Sequence, residues 1–454
     1  MVMSASAAVD VAGQLAGEAR ASRTVFDEAD KWLNSEDYAK SFIQSGRYNT
    51  PEKIALMQFS EVPILRLIVE ETAQQMIVEG VTLADGRDPR PMFSPWGYNG
   101  MPSRESALWE AVLGYGHAYV MVQPGEVQFP DGRIGDRAWI RPYSPLSLYA
   151  RYADPADDEW PEFAYRVAKN EDGSESLRVY DEEAVYYLGR ERSGEIRMIE
   201  TRVHGLGVCP IVQFAGSKDL QGRTPGEVDK NKTNAKRLIK TTYDRMLIQH
   251  HNSWRVITAT GLEMPDDDAE RAKFKLAQDT VLTGEPGVEF GSLPETQIQG
   301  ILQAAEADVD MLAASSQTPV WTFNGGQLVN LSADALTEAR SAQRNKIRQK
   351  QKAMGRSVAQ VLRLAASAER RWDDANDFSV RVQWEDVEAR SLSQAADALG
   401  KLAAQLGIPP ELLWDMIPGV SSTDVEQWRE YAMQHPVGER ALFAAYDRQM
   451  ADNG

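Results

Sequence analysis

A single apolar seam constrains this chain more than any motif in it. Between Ser332 and Arg371, the residues Leu336, Ile347, Met354, Val358, Val361 and Ala365 fall within one narrow stripe when placed 100° apart. A stripe of that length is stable only when buried along a neighbouring element. The segment therefore reads as one packed helix, the longest of the chain, with Ser332 as its cap and Gly355 as a candidate kink point. Its charge is unusual. Between Glu338 and Glu369 stand Arg340, Arg344, Lys346, Arg348, Lys350, Lys352, Arg356 and Arg363 with no acid among them. Arg344, Arg348, Lys352, Arg356 and Arg363 take the side away from the seam, so this is a helix with a charged face and not a disordered basic tail. The chain as a whole has the opposite sign, with 67 acidic against 49 basic side chains and a formal charge of −18. Phosphate binding depends on Lys and Arg releasing counterions, so a protein that simply coats nucleic acid is disfavoured and any DNA contact must be local, transient or slippery. In the bland reading, the cations are solvated or paired with acids on a neighbour, including a neighbouring subunit.

At 454 residues the chain exceeds one ordinary core, and two to four structural units are expected. Cys209 stands alone, which excludes an intrachain disulfide and a cysteine zinc cluster. The N-terminus lacks a basic segment followed by an apolar one, and no stretch approaches the roughly 20 apolar residues of a membrane span. The expectation is a chain made inside the cell, without secretion or membrane insertion.

Helical spacing runs from about Val25 to about Val81, with Gly80 as its stop. After a loop, a helix capped by Ser103 should bury Ala107, Leu108, Ala111 and Val112 and lead into a strand over Ala118–Val122. Alternating runs such as "FAYRVAK", "SLRVYD" and "AVYYLG", separated by Gly, Asp and Pro, then predict an antiparallel sheet or meander. Residues 1 to about 216 thus form one α+β domain. Thr224 and Glu227 form a capping box with Pro225 at the first helical position. The helix it opens reaches Asn252, roughly 40 Å at 1.5 Å per residue. Ser292 and Glu295 form a second box before another long helix that ends ahead of Pro319. Between the two helices lies a small insert of strand, acidic helix and strand, which suggests a stalk with a tip. The string "VWTFNGGQLVN" is a loop, "DFSVRVQWEDV" alternates as a strand returning to a sheet, and the last sixty or so residues are helical.

Catalytic motifs are missing: there is no phosphate-cradling G-x-x-x-x-G-K-[ST], no H-E-x-x-H, no G-x-S-x-G and no G-x-G-x-x-G after a strand. His250 and His251 sit about 100° apart on a helix and do not converge on one metal. Asp266, Asp267 and Asp268 follow a proline, where acids favour a helix start through its dipole. Asp154 lies in a second acidic stretch that reads as a loop. No metal, cofactor or enzymatic activity is expected.

Three strings carry a family resemblance: "ALWEAVLGYGHAYVMVQPG", "HGLGVCPIVQFAGSKDLQGRTPGEV" running into "NKTNAKRLIKTTYDRMLIQHHNSWRVITATG", and "VQWEDVEARSLSQAADALGKLAAQLGIPPELLWDMIPG". In order and spacing, over most of residues 50 to 430, they resemble the portal proteins of tailed bacteriophages, the head-to-tail connector family. The resemblance implies an α+β, portal-like fold. Its parts would be an α/β wing (1–223), stem helices (224–252 and 295–317), a small α/β clip (253–294) and a tunnel loop (318–331). A long kinked helix with the returning wing strand (332–390) and a helical crown (391–454) would follow. It implies a homo-oligomeric ring of about twelve copies at one capsid vertex, in the virion and, during assembly, in the host cytoplasm. Double-stranded DNA would slide through that ring. The large terminase, a head-completion adaptor or tail connector, the major capsid protein and a scaffold would be its partners. Residues facing DNA would be Asn324, Gly325, Gly326, Gln327, Asn330, Arg340, Arg344 and Arg348. The loop itself has no Lys or Arg, so Trp321, Phe323 and Leu328 would brace it. Asp266, Asp267, Asp268 and Glu270 would be docking charges on the clip, and Lys350 to Arg363 would pair with acidic neighbours in the ring. Two rivals from other classes are a metal-dependent phage nuclease or processing enzyme, and a monomeric helical DNA-binding module.

Overall fold

A computed structural model describes residues 2–34, 39–43, 50–128, 132, 134–253, 257–260, 289–292, 298–324, 338, 340–386, 392–417, 419–420 and 422–435. The chain divides into two units: Met1–Phe26, Glu70–Gly226 and Arg344–Gly454 form one, and Asp27–Val69 with Glu227–Gln343 form the other.

The first unit contains two antiparallel sheets. Strands β4 (Leu148–Arg151), β5 (Phe163–Lys169), β6 (Glu175–Tyr180), β7 (Ala184–Arg190) and β8 (Ile196–Val203) form a meander in sequence order. Its tight turns place Gly173 and Gly194 at φ 80° and 91°, a region that residues with a Cβ avoid. Strands β2 (His117–Gln128), β3 (Ile134–Tyr143) and β9 (Ile211–Ala215) form the second sheet in the order β3-β2-β9. Alternation divides the side chains between two cores. Tyr165, Leu177, Val179, Tyr186 and Leu188 pack against Ala8, Ala12 and Leu15 of helix α1 (Ala5–Asn34). Tyr119, Met121, Ala164, Tyr180, Val185, Cys209 and Ile211 form the other core.

Among the described residues α1, at 30 residues, is the longest helix, a place the seam had assigned to 332–371. Its sequence signal is weak because three of its buried residues, Ala8, Ala12 and Ala29, are alanines, and Gly13 and Gly17 each cost about 1 kcal/mol of helix propensity. The helical stretch expected over Val25–Val81 is broken into α1, α2 (Pro51–Phe59) and α3 (Ile64–Ala73), and it ends in a strand, β1 (Val78–Thr82). Gly80 lies inside that strand and stops no helix. Pairing with β12 (Arg381–Trp384), about three hundred residues later, decides the conformation there. The strand read from "DFSVRVQWEDV" therefore returns to a sheet as expected, in a two-stranded pair with β1.

After α4 (Arg90–Tyr98), helix α5 (Glu105–Tyr115) begins without a side-chain cap, because the Ser103 hydroxyl donates to the Gly100 carbonyl. Its buried face is Leu108, Trp109, Val112 and Leu113, not Ala107 and Ala111, since the larger side chains take the interior. Trp109 lies 5.9 Å from Phe214 and 5.6 Å from Trp384, ring centre to ring centre.

Helix α6 (Glu227–Ser253) starts two residues later than its sequence suggests. The hydroxyl of Thr224 does not cap it, being 2.8 Å from Nδ1 of His117. Helix α7 (Gln299–Ser316) has Ile298 at its N-cap position, and Ser292 ends strand β11 (Glu289–Ser292); Glu295 lies outside the described residues. In the second unit α6 and α7 run antiparallel: Asn231 and Asn234 reach Ser315, whereas Arg237 and Thr241, farther along α6, reach Asp308. Val228, Ala235, Leu238, Ile239 and Tyr243 are buried on α6, and Leu312 and Ala313 on α7. The helix ends ahead of Pro319 at Gln317, whose φ is 53°.

Candidate functional site

Helix α8 (Trp321–Asn324) is a single turn that carries Asn324 at its end. The next described residues are Glu338 and Arg340, and the Arg340 guanidinium lies 5.9 Å from the centre of the Trp321 ring. A cation held over an indole face brings the two ends of the intervening segment together. Gly325, Gly326, Gln327, Leu328, Asn330, Ser332 and Leu336 lie outside the described residues, as do Asp266, Asp267, Asp268 and Glu270. The base of the insert is described. Strand β10 (Ile257–Thr260) pairs antiparallel with β11 in the register Ile257↔Ser292 to Thr260↔Glu289, so the segment carrying the acids leaves and returns at adjacent positions.

Helix α9 (Ser341–Ala368) carries the rest of the basic run. Ile347, Met354, Val358, Val361 and Ala365 are fully buried, as the seam requires. Within the first unit the Ser357 hydroxyl donates to the Gln213 carbonyl of β9 at 2.9 Å. The helix runs through Gly355 without a break. A Cβ there would stand 3.4 Å from the Trp384 indole nitrogen, an ordinary contact distance. Arg344 is half-buried, and Arg348, Lys352 and Arg356 are exposed. Lys346 and Lys350 are buried, which the wheel did not show. Beside Met354, Lys350 runs its stem over Gly216.

At the far end, the Arg363 guanidinium stacks 4.0 Å from the centre of the Phe378 ring and stands 3.4 Å from a Glu159 carboxylate oxygen. Burial holds its pKa below the usual guanidinium value. Gln360 adds a 3.2 Å bond to the Glu159 carbonyl. Along this face runs a groove of 720 Å³, with Arg348, Lys352, Arg356 and Arg381 on its walls and Phe378 and Trp384 in its lining.

Two buried titratable groups belong to the scaffold. Burial pushes the Glu105 carboxyl up to about 7 and lowers His117 to about 4. Cys209 is buried and its thiol is pushed up in pKa, so it has no nucleophilic character. Among the described residues no group of three or more His, Cys, Asp or Glu could hold a metal ion. No helix there is long and apolar enough to cross a membrane. Sequence reasoning missed the Asp308 network and the Trp321 and Arg340 contact. The only signal for the latter was an arginine and a tryptophan flanking one loop. A family model described as phage portal protein, SPP1 Gp6-like, matches residues 21–434 of the chain. No curated protein matches it.

Proposed function

The chain belongs to the phage portal protein family, SPP1 Gp6-like, and from that membership we propose that its copies close into a ring of about twelve at one capsid vertex. Double-stranded DNA passes through the ring during packaging and ejection. The large terminase docks first, then a head-completion adaptor or tail connector, with the major capsid protein and a scaffold around the ring during assembly in the host cytoplasm. The observation that carries this reading is the family match, which spans nearly the whole chain.

In this reading the parts follow in order along the chain. Residues 1–223 with the returning strand β12 form the wing, α6 and α7 the stem, and the insert based on β10 and β11 the clip. Residues 318–331 form the tunnel loop, with α9 after it, and 391–454 the crown. Asn324, Gly325, Gly326, Gln327 and Asn330 face DNA as uncharged contacts, and Arg340, Arg344 and Arg348 supply positive charge beyond them. With every axial residue repeated around the ring, a few cations steady a duplex that an otherwise acidic wall repels. Asp266, Asp267, Asp268 and Glu270 are docking charges for the clip's partners. Reversing them is expected to weaken terminase binding and leave the ring intact.

Solution mass and negative-stain images of the purified full chain test the reading. A closed ring is expected, and a monomer at all concentrations overturns it. Divalent-dependent cleavage of DNA would instead select a nuclease.

A further inference from the structure

The 720 Å³ groove on the first unit is cationic, and among the described residues Lys352, Arg356 and Arg381 on its walls have no ion-pair partner. Glu159 is engaged by Arg363, and Asp377 by Arg87 at 2.6 Å and by the Ser379 hydroxyl. Lys352 and Arg356 are exposed and have no ion-pair partner among the described residues. Among the described residues the Arg381 guanidinium, exposed on β12, donates only to the neighbouring Val380 carbonyl, at 3.3 Å. The groove also exposes an aromatic ring, because Phe378 is 71% solvent-accessible.

We propose that this groove receives an acidic stretch of a second copy of this chain, making it a docking surface between adjacent subunits. The inference rests on the ring reading above and names one of its interfaces. The groove already displays the recognition chemistry in miniature: Arg363 holds a carboxylate while stacked on Phe378. Lys352, Arg356 and Arg381 repeat the cationic half of that arrangement without the carboxylate. A nucleic-acid occupant fits less well, since Glu159 and Asp377 would face phosphates and an exposed phenyl ring on the wall offers a paired duplex nothing to stack on. A second copy fits well, because a chain of charge −18 has an acidic surface to offer and a ring needs unlike surfaces facing each other. Lys352 and Arg356 lie one helical turn apart, about 6 Å along the axis. That spacing lets one acidic stretch engage both.

The test uses rings assembled from equal parts of ¹⁴N- and ¹⁵N-labelled full-length chain, treated with a carbodiimide that joins an amine to a carboxylate in contact with it. Lys352 peptides joined to acidic peptides of the other label are expected. In parallel, Lys352→Glu, Arg356→Glu and Arg381→Glu are combined. All three side chains are exposed, so melting of the subunit is expected to be unchanged, while the concentration at which rings dissociate rises about tenfold or more. Wild-type rings that give no mixed-label Lys352 product, together with normal rings from the triple variant, overturn the inference and leave the ring reading standing. Normal rings that have lost duplex-DNA binding in the triple variant assign the groove to phosphate and also overturn it. A wild-type chain that never forms a ring overturns both.

Discussion

Substituting Gly116→Ala tests whether the first unit is held by the close backbone approach the structure shows. At Gly116 φ is 97°, and a Cβ would stand 1.9 Å from the Thr224 carbonyl oxygen and 2.9 Å from the Gly226 nitrogen. From the other side, a Cβ on Gly226 would stand 2.3 Å from the Gly114 carbonyl oxygen. Two costs follow. Holding a residue with a Cβ in the left-handed region costs about 1–2 kcal/mol. Relieving the clash requires the backbone segments to separate by about 1 Å or more, and that breaks the bond between His117 and Thr224, worth about 1 kcal/mol with a further penalty for the stranded polar atoms. Together these give a loss of about 3–5 kcal/mol, a large fraction of ordinary domain stability. Denaturant unfolding followed by circular dichroism measures it. Gly13→Ala is the control: Gly13 lies inside α1 with nothing within 4 Å of a Cβ, and alanine there should raise stability by up to about 1 kcal/mol. A Gly116→Ala protein within about 0.5 kcal/mol of wild type would refute the reasoning.

Three further outcomes are expected. Glu105 has a folded pKa near 7, above its value of 4.5 when unperturbed, so the folded state holds the extra proton between those values. Its contribution is complete below pH 4.5 and is lost as pH rises through about 7. His117, lowered from 6.5 to about 4, acts the other way, contributing above pH 6.5 and losing its contribution as pH falls through about 4. Between pH 5 and 6.5 the two slopes oppose each other. Melting scans of Glu105→Gln should therefore show stability rising with pH in that window more steeply than wild type, and identical slopes would refute the assignment. Asp308→Ala removes acceptors used by Arg237 at 2.9 Å and Thr241 at 2.6 Å. With Arg237 half exposed, the expected loss is about 2 kcal/mol, most of it recovered by Asn, as urea unfolding will show. Tyr186→Phe deprives the Asp181 carboxylate of a 2.8 Å donor and the Met3 amide of a 2.8 Å acceptor, for an expected loss of about 1–2 kcal/mol read from the shift in melting temperature.

What the sequence made legible follows the strength of its periodicities. The seam stood out because six apolar side chains recur over several turns, and the five that are described, Ile347, Met354, Val358, Val361 and Ala365, are fully buried. The meander was equally plain, since each strand alternates and each turn carries Gly or Asp. Illegible were the features that depend on distant partners. Strand β1 looked like the tail of a helix because nothing local announces its pairing with β12. Capping signals misled at Thr224 and Ser292 for a related reason. A residue expected at a helix start can serve another element: the Thr224 hydroxyl lies against His117, and Ser292 belongs to the strand pair of β10 and β11. The candidate site divided the same way. Composition revealed the cationic run, but the burial of Lys346 and Lys350 and the stacking of Arg363 on Phe378 needed the fold.

Net charge and local charge act over different distances, and salt separates them. Each copy carries −18, and at about 0.01 M salt, where the Debye length is about 30 Å, adjacent copies repel across their whole facing surfaces. At about 0.15 M the length falls to about 8 Å, which screens most of that repulsion yet leaves a carboxylate against Lys352 or Arg356 at contact range. Near 1 M it is about 3 Å, and the exposed pairs weaken as well. If cations on α9 help to hold neighbouring subunits, ring stability measured by light scattering should pass through a maximum at intermediate salt. In the variant with Lys352, Arg356 and Arg381 all changed to Glu, the descending limb should disappear, because only repulsion remains to be screened. A wild-type ring whose stability falls steadily from the lowest salt upward would mean that attraction dominates at every distance, against the repulsion expected between copies that each carry −18.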